Sequence, residues 1–149
     1  MAFFKANTLW CDSRYYLNKE TGEYMRKYVL ILATSPSGDD ALSAVLTSKA
    51  NGLREEPACD PGPPRAGYYV GVPGDGLLKP TWVDFSSVKD EDDFDFKKLV
   101  GNGRITSHAL TLPDAIFCGI LRCLSKSEDI NNRQHKWLAA TIASLGCPY

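Results

Sequence analysis

The feature that most constrains this chain is a pair of apolar runs separated by a tight turn. "KYVLILATS" (27–35) is nearly continuous in apolar residues, "PSGDD" (36–40) interrupts it, and "ALSAVLTSK" (41–49) resumes it. Apolar runs of this length, bounded by turn residues, read as strands covered on both faces. So short a link requires the two strands to pair antiparallel, so a sheet with a buried centre is expected. The second run ends in Thr47, Ser48 and Lys49, two hydroxyls and an amine at the point where a strand leaves the core.

Other strand-like stretches flank this pair. "TLWCDSRYY" (8–16) alternates roughly between aromatic and polar residues, and "LNKETGEYMRK" (17–27) is a polar turn-forming segment. "YYVGVPG" (68–74) and "PTWVDFSSV" (80–88) read as two further strands separated by the turn "DGLLK" (75–79). Pro80 suits a strand start, where no ladder N–H is demanded of it. The long irregular stretch "ANGLREEPACDPGPPRAG" (50–67) has the length of a functional or mobile loop.

The C-terminal third changes period. "KDEDDFDFKKLVGNG" (89–103) places acids first and lysines last, the order that complements the dipole of a short solvated helix; it is read so in preference to a metal site. "TLPDAIFCGILRCLSKS" (111–127) carries an apolar stripe at helical spacing. "SEDINNRQHKWLAATIASLG" (127–146) reads as a last helix with Gly146 as terminator. Strands first and helices last predict one domain over 1–149, with a β part over about 5–110 and helices over about 111–146.

With 44% apolar and 23% charged residues the composition is that of a globular protein, and no apolar run reaches bilayer length. The N-terminus lacks the long apolar region of a signal peptide, so a cytoplasmic setting and no membrane association are expected. A net charge of −1 excludes a global field for polyanions, so any nucleic-acid contact must come from a local patch. The five cysteines show no close CxxC pairing; they read as free, mostly buried thiols, with no structural zinc and no cofactor expected.

The order "RKYVLILA", turn, "ALSAVLTSK", loop, "YYVGVP", "LLKPTWVDFSSV", "VGNGRITSHALT" and amphipathic helix resembles the MazF/PemK (Kid) toxin family over about residues 24–126. In that family a strand follows an Arg-Pro, another ends in Thr or Thr-Ser, a third contains an Asp, and a G-x-L/I step leads into the C-terminal helix. The resemblance implies a mainly β fold, a small SH3-like β-barrel with C-terminal α-helices, as in CcdB/MazF-type toxins. It also implies a homodimer of a type II toxin–antitoxin pair, held inactive by a cognate antitoxin. The implied activity is metal-independent cleavage of single-stranded RNA to a 2′,3′-cyclic phosphate and a 5′-OH. This chain departs from the pattern in several places. "FKAN" (4–7) replaces a Pro-Gly, Arg26-Lys27 replaces Arg-Pro, and Trp82 stands where some members have an arginine. The family's first-loop histidine has no match, and the chain after Asp129 extends past the usual end.

Cleavage without a metal needs a base for the 2′-OH, an acid for the leaving 5′-oxygen and donors for the phosphorane. The resemblance assigns catalytic roles to Arg26, Thr47 and Asp84. Lys27, Ser48, Lys49, Arg54, Arg65 and Trp82 are expected to bind RNA. Thr47 and Ser48 would donate to phosphate, or else simply cap a strand end. Arg26 would neutralise the phosphate, with Lys27 as substitute, or be an ordinary exposed base. Asp84 would act as base or orient an arginine, or face solvent from its strand. An exposed Trp82 would stack a base. His108 and His135 read as structural and solvent-facing. The rival expectation is a catalytically degenerate or CcdB-like barrel that acts by binding a protein partner. A third is a regulatory scaffold using the extra C-terminal helix.

Overall fold

A computed structural model of the chain describes residues 3–74 and 76–147. Met1, Ala2, Asp75, Pro148 and Tyr149 lie outside the described residues, and with them parts of the expected N-terminal start, 75–79 turn and C-terminal end. The order of elements is β1 (Leu9–Leu17), β2 (Tyr24–Thr34), β3 (Asp40–Thr47), β4 (Cys59–Pro61), β5 (Ala66–Gly71), β6 (Thr81–Asp92), α1 (Asp93–Gly101), β7 (Ile105–His108), α2 (Asp114–Ser125) and α3 (Asn132–Leu145). The protein is therefore mainly β, with α1 between the last two strands and α2 and α3 after them.

All seven strands form one antiparallel sheet in the order β4-β5-β6-β3-β2-β1-β7, whose two outer strands do not pair with each other. The β2–β3 hairpin lies near the centre, as its two apolar runs require: Leu30, Ile31, Leu32, Leu42 and Ala44 are at most 1% exposed. One core cluster joins the sheet to α2 and α3 through Leu32, Leu46, Val83, Phe85, Ile120, Leu121, Leu124 and Leu138. A second cluster covers the opposite face with Phe4, Ile31, Ala41, Phe96 and Ile105. Burial of both faces explains why the central strands lack the simple two-residue alternation of a half-exposed sheet.

The helices follow local rules. Asp92 caps α1 by accepting from the Asp95 N–H at 2.8 Å, with Asp93 and Asp95 in the first turn and Lys98 in the last. The acidic segment thus does what its charge order predicts. In α2, Gly119 lies against β5, where a Cβ would collide with the Tyr68 hydroxyl, so glycine sets how closely helix and sheet approach. Asn131 and Gln134 form a capping box at the start of α3, and Gly146 ends it in the left-handed region.

Three boundaries differ from expectation. Strand β6 continues to Asp92 because Lys89–Asp92 pair with Asp40–Ser43 of β3, so ladder bonds outweigh the helical reading of the acids. Residues 105–108, not read as a strand, form β7 along β1. The last helix begins at Asn132, since the Ser127–Asp129 turn and the Asn131 cap precede it.

The cysteines require a correction. Four of them form two disulfides, Cys59–Cys123 and Cys118–Cys147, and Cys11 alone is free. The pairs are 64 and 29 residues apart in sequence, so local spacing could not reveal them; the fold brings each pair of Cα atoms to 5.5 Å. Both disulfides involve α2, tying it to β4 and to the chain end. Among the described residues no helix is long and apolar enough to cross a membrane.

Candidate functional site

Strands β2 and β3 deliver the expected polar residues to one place. Tyr28 lies opposite Leu46 in their ladder, so Arg26 and Lys27 before it approach Thr47 and Ser48 after it. Arg26, Lys27, Thr47 and Ser48 line a single cavity of about 360 Å³, together with Tyr28 and Lys79. The third side is the segment leading into β6, including Gly76, Leu77 and Thr81. No carboxylate lines this cavity among the described residues.

Thr47 is buried and Ser48 exposed. The Thr47 hydroxyl accepts the Lys49 N–H at 3.2 Å, so it does cap the strand end while sitting in the cavity wall. The same hydroxyl donates to the Lys49 carbonyl at a long 3.5 Å, a weak bond that a better acceptor in the cavity could replace. Arg26 is exposed, and its guanidinium lies 5.8 Å from the centre of the Tyr28 ring. The Tyr28 ring also meets His108 edge-on, with ring centres 5.1 Å apart. Neither Arg26 nor Lys27 forms an ion pair among the described residues.

Cys11 stands opposite Tyr28 across β1 and β2. Burial pushes its thiol pKa up; the nearby Arg26 guanidinium pulls it back down, and Asp12 adds to the rise. Asp12 itself is buried and holds Arg104 through two bonds of 2.8 and 3.1 Å, which keeps that guanidinium more firmly charged. This pair joins β1 to the turn before β7 and is structural.

The remaining expected site residues lie elsewhere. Asp84 does not line the cavity: its carboxylate accepts from Arg65 at 2.6 Å and from the Ser86 hydroxyl and N–H at 2.6 and 3.0 Å. Its carboxylate oxygens are thus occupied by Arg65 and Ser86, away from the cavity that holds Arg26 and Thr47. Arg65 is correspondingly an ion-pair partner of Asp84 and does not line the cavity. Arg54 donates to the carbonyls of Pro57 and Cys59, so it braces its own loop. Lys49 is exposed but outside the cavity lining.

Trp82 corrects another expectation. It is 6% exposed, donates its indole N–H to the Arg54 carbonyl at 3.0 Å and packs against Tyr69, with ring centres 5.1 Å apart. Thr47 and Tyr69 are its cross-strand neighbours, and the buried indole is not the exposed stacking platform expected.

Sequence reasoning missed Tyr28, Gly76, Lys79 and Thr81 as cavity residues. Tyr28 carried a usable signal, since it lies within the strand that Arg26 leads into. Gly76 and Lys79 carried none, because their place depends on how the 71–81 segment folds back. Among the described residues no group of three or more His, Cys, Asp or Glu is placed to hold a metal ion. No protein-family model matches the chain, and no curated protein matches it.

Proposed function

We propose that this chain is a metal-independent endoribonuclease toxin of the MazF/PemK kind, acting on single-stranded RNA and restrained by an antitoxin. The observation that carries this reading is the meeting of Arg26, Lys27, Thr47 and Ser48 on one cavity free of lining carboxylates among the described residues. Cations and hydroxyls gathered on one cavity suit a phosphodiester. The SH3-like barrel, the homodimer and the cytoplasmic setting belong to the same proposal.

In this reading the guanidinium of Arg26 and the hydroxyls of Thr47 and Ser48 surround the scissile phosphate. The 2′-oxygen attacks phosphorus after yielding its proton to solvent, and a P–O bond forms. The bond to the 5′-oxygen breaks, that oxygen regains a proton, and the products are a 2′,3′-cyclic phosphate and a 5′-OH. The protein contributes by stabilising charge on the phosphorane, the term that usually matters most in such sites. Asp84 acts on Arg65 and not on substrate.

The capture of Asp84 by Arg65 favours one alternative, a catalytically degenerate barrel that works by binding a protein partner. Purified protein incubated with single-stranded RNA in EDTA separates the two. Cyclic-phosphate ends formed by the wild type and lost in both Arg26→Ala and Thr47→Ala support the nuclease. Intact RNA, with growth inhibition on expression preserved, supports the protein-binding alternative.

A further inference from the structure

The third wall of the cavity comes from the β5–β6 hairpin through Gly76, Leu77, Leu78, Lys79 and Thr81, and its construction is specific. Gly74 and Leu77 exchange backbone N–H···O bonds of 2.9 Å in both directions, which draws the two arms together near the tip. Gly76 sits in that tip at a φ of +96°, a conformation that side-chain-bearing residues rarely adopt. A Cβ at Gly76 would lie 3.2 Å from the Tyr28 hydroxyl, so the missing side chain lets the tip settle onto Tyr28. Just beyond the tip, exposed Lys79 lines the cavity on the side supplied by the hairpin, while Arg26 and Lys27 come from β2.

Three cations thus converge on one cavity, and none forms an ion pair among the described residues. Cations lining one cavity raise its positive potential, and an anion that enters is attracted to all three. A single phosphate engages Arg26 and the Thr47–Ser48 hydroxyls. A cation from a separate element suits a second phosphate of the same strand.

We propose that Lys79 is a substrate-binding residue that clamps the phosphodiester next to the scissile one, with the 71–81 hairpin as its support. The inference rests on the nuclease reading for its substrate class, RNA, but its test reads binding alone. The probe is a fluorescein-labelled single-stranded oligodeoxynucleotide, which lacks the 2′-OH and so is bound without being cleaved. Anisotropy titrations across a range of KCl give the slope of log K against log salt. Each phosphate contact on a single strand contributes roughly 0.7 to that slope.

Lys79→Ala is expected to weaken binding and reduce the slope by about 0.7, the value for one lost contact, while Lys79→Arg retains it. Lys98→Ala, an exposed lysine on α1, serves as the control and is expected to leave both quantities unchanged. A wild-type slope in Lys79→Ala, or an equal loss in Lys98→Ala, overturns the clamp. Absence of wild-type binding also overturns it, whatever the cleavage assay gives. Lys79-dependent binding without RNA cleavage sustains the clamp and sinks the nuclease reading. Cleavage that Lys79→Ala leaves intact, with an unaltered slope, does the reverse.

Discussion

Arg65 and Asp84 are joined by a 2.6 Å guanidinium–carboxylate contact between the residue that precedes β5 and the first half of β6. Gly67 stands opposite Asp84 in the ladder, so Arg65 reaches back along the neighbouring strand. The resemblance led to an expectation of an arginine two positions before Asp84, where Trp82 stands. The structure supplies an arginine to Asp84 from just before another strand.

That pair is partly exposed, 34% for the Arg65 side chain and 13% for Asp84, so solvent screens it. Arg65→Ala and Asp84→Ala are each expected to destabilise the fold. Their double-mutant cycle is expected to show a coupling on the order of 1 kcal/mol, read by urea denaturation. Additive effects would show that the two side chains do not act together in solution.

The disulfides give a thiol count. Denatured without reductant, the protein is expected to titrate one thiol, Cys11, and after reduction all five. Cys59→Ser is expected to cost about 2–4 kcal/mol, as for a typical native disulfide closing a long loop. Thermal melts with and without dithiothreitol should show the same direction. Such bonds persist in oxidising surroundings and not in a reducing cytoplasm. The redox state in cells therefore bears directly on the proposed setting.

Cys11 reports on Arg26. Because burial raises its pKa, alkylation by iodoacetamide is expected to rise with pH later than for a free thiol. Removing the guanidinium removes the influence that lowers the pKa. Arg26→Ala should therefore shift the alkylation profile to still higher pH. A shift to lower pH would mean that Arg26 does not act on Cys11.

Gly76→Ala tests the hairpin tip. The positive φ and the 3.2 Å approach to the Tyr28 hydroxyl both oppose the added methyl. A loss of about 1 kcal/mol or more is expected in a denaturation measurement. In a Tyr28→Phe background the nearest obstacle is gone, and the penalty should shrink to that of the backbone alone. An unchanged penalty would place the whole cost in φ.

Much of the fold was legible because it depends on neighbours in sequence. The apolar runs around 27–49 gave the central hairpin, the acid-to-lysine order gave α1, and the stripe at 112–124 gave α2. Four-residue β7 was not legible, since a strand so short is defined by the partner it finds. At the site, "RK" and "TS" were readable as candidates, and their meeting follows from the antiparallel pairing that the turn at 36–40 imposes. Lys79 was not readable, because a lysine after a loop glycine looks like any solvated charge.

By itself the sequence determined the buried centre of the sheet, the presence of the helices, the Gly146 stop of the last one and the polar residues at the ends of β2 and β3. Those features rest on periodicity, capping and turn chemistry, which act over a few residues. Only the tertiary structure decided that four cysteines pair, that Trp82 is enclosed, that Asp84 belongs to Arg65, and that Lys79 faces the same cavity as Arg26. Each of these is a contact between segments far apart in the chain. Such contacts are fixed by how sheet and helices pack, and no local pattern encodes them.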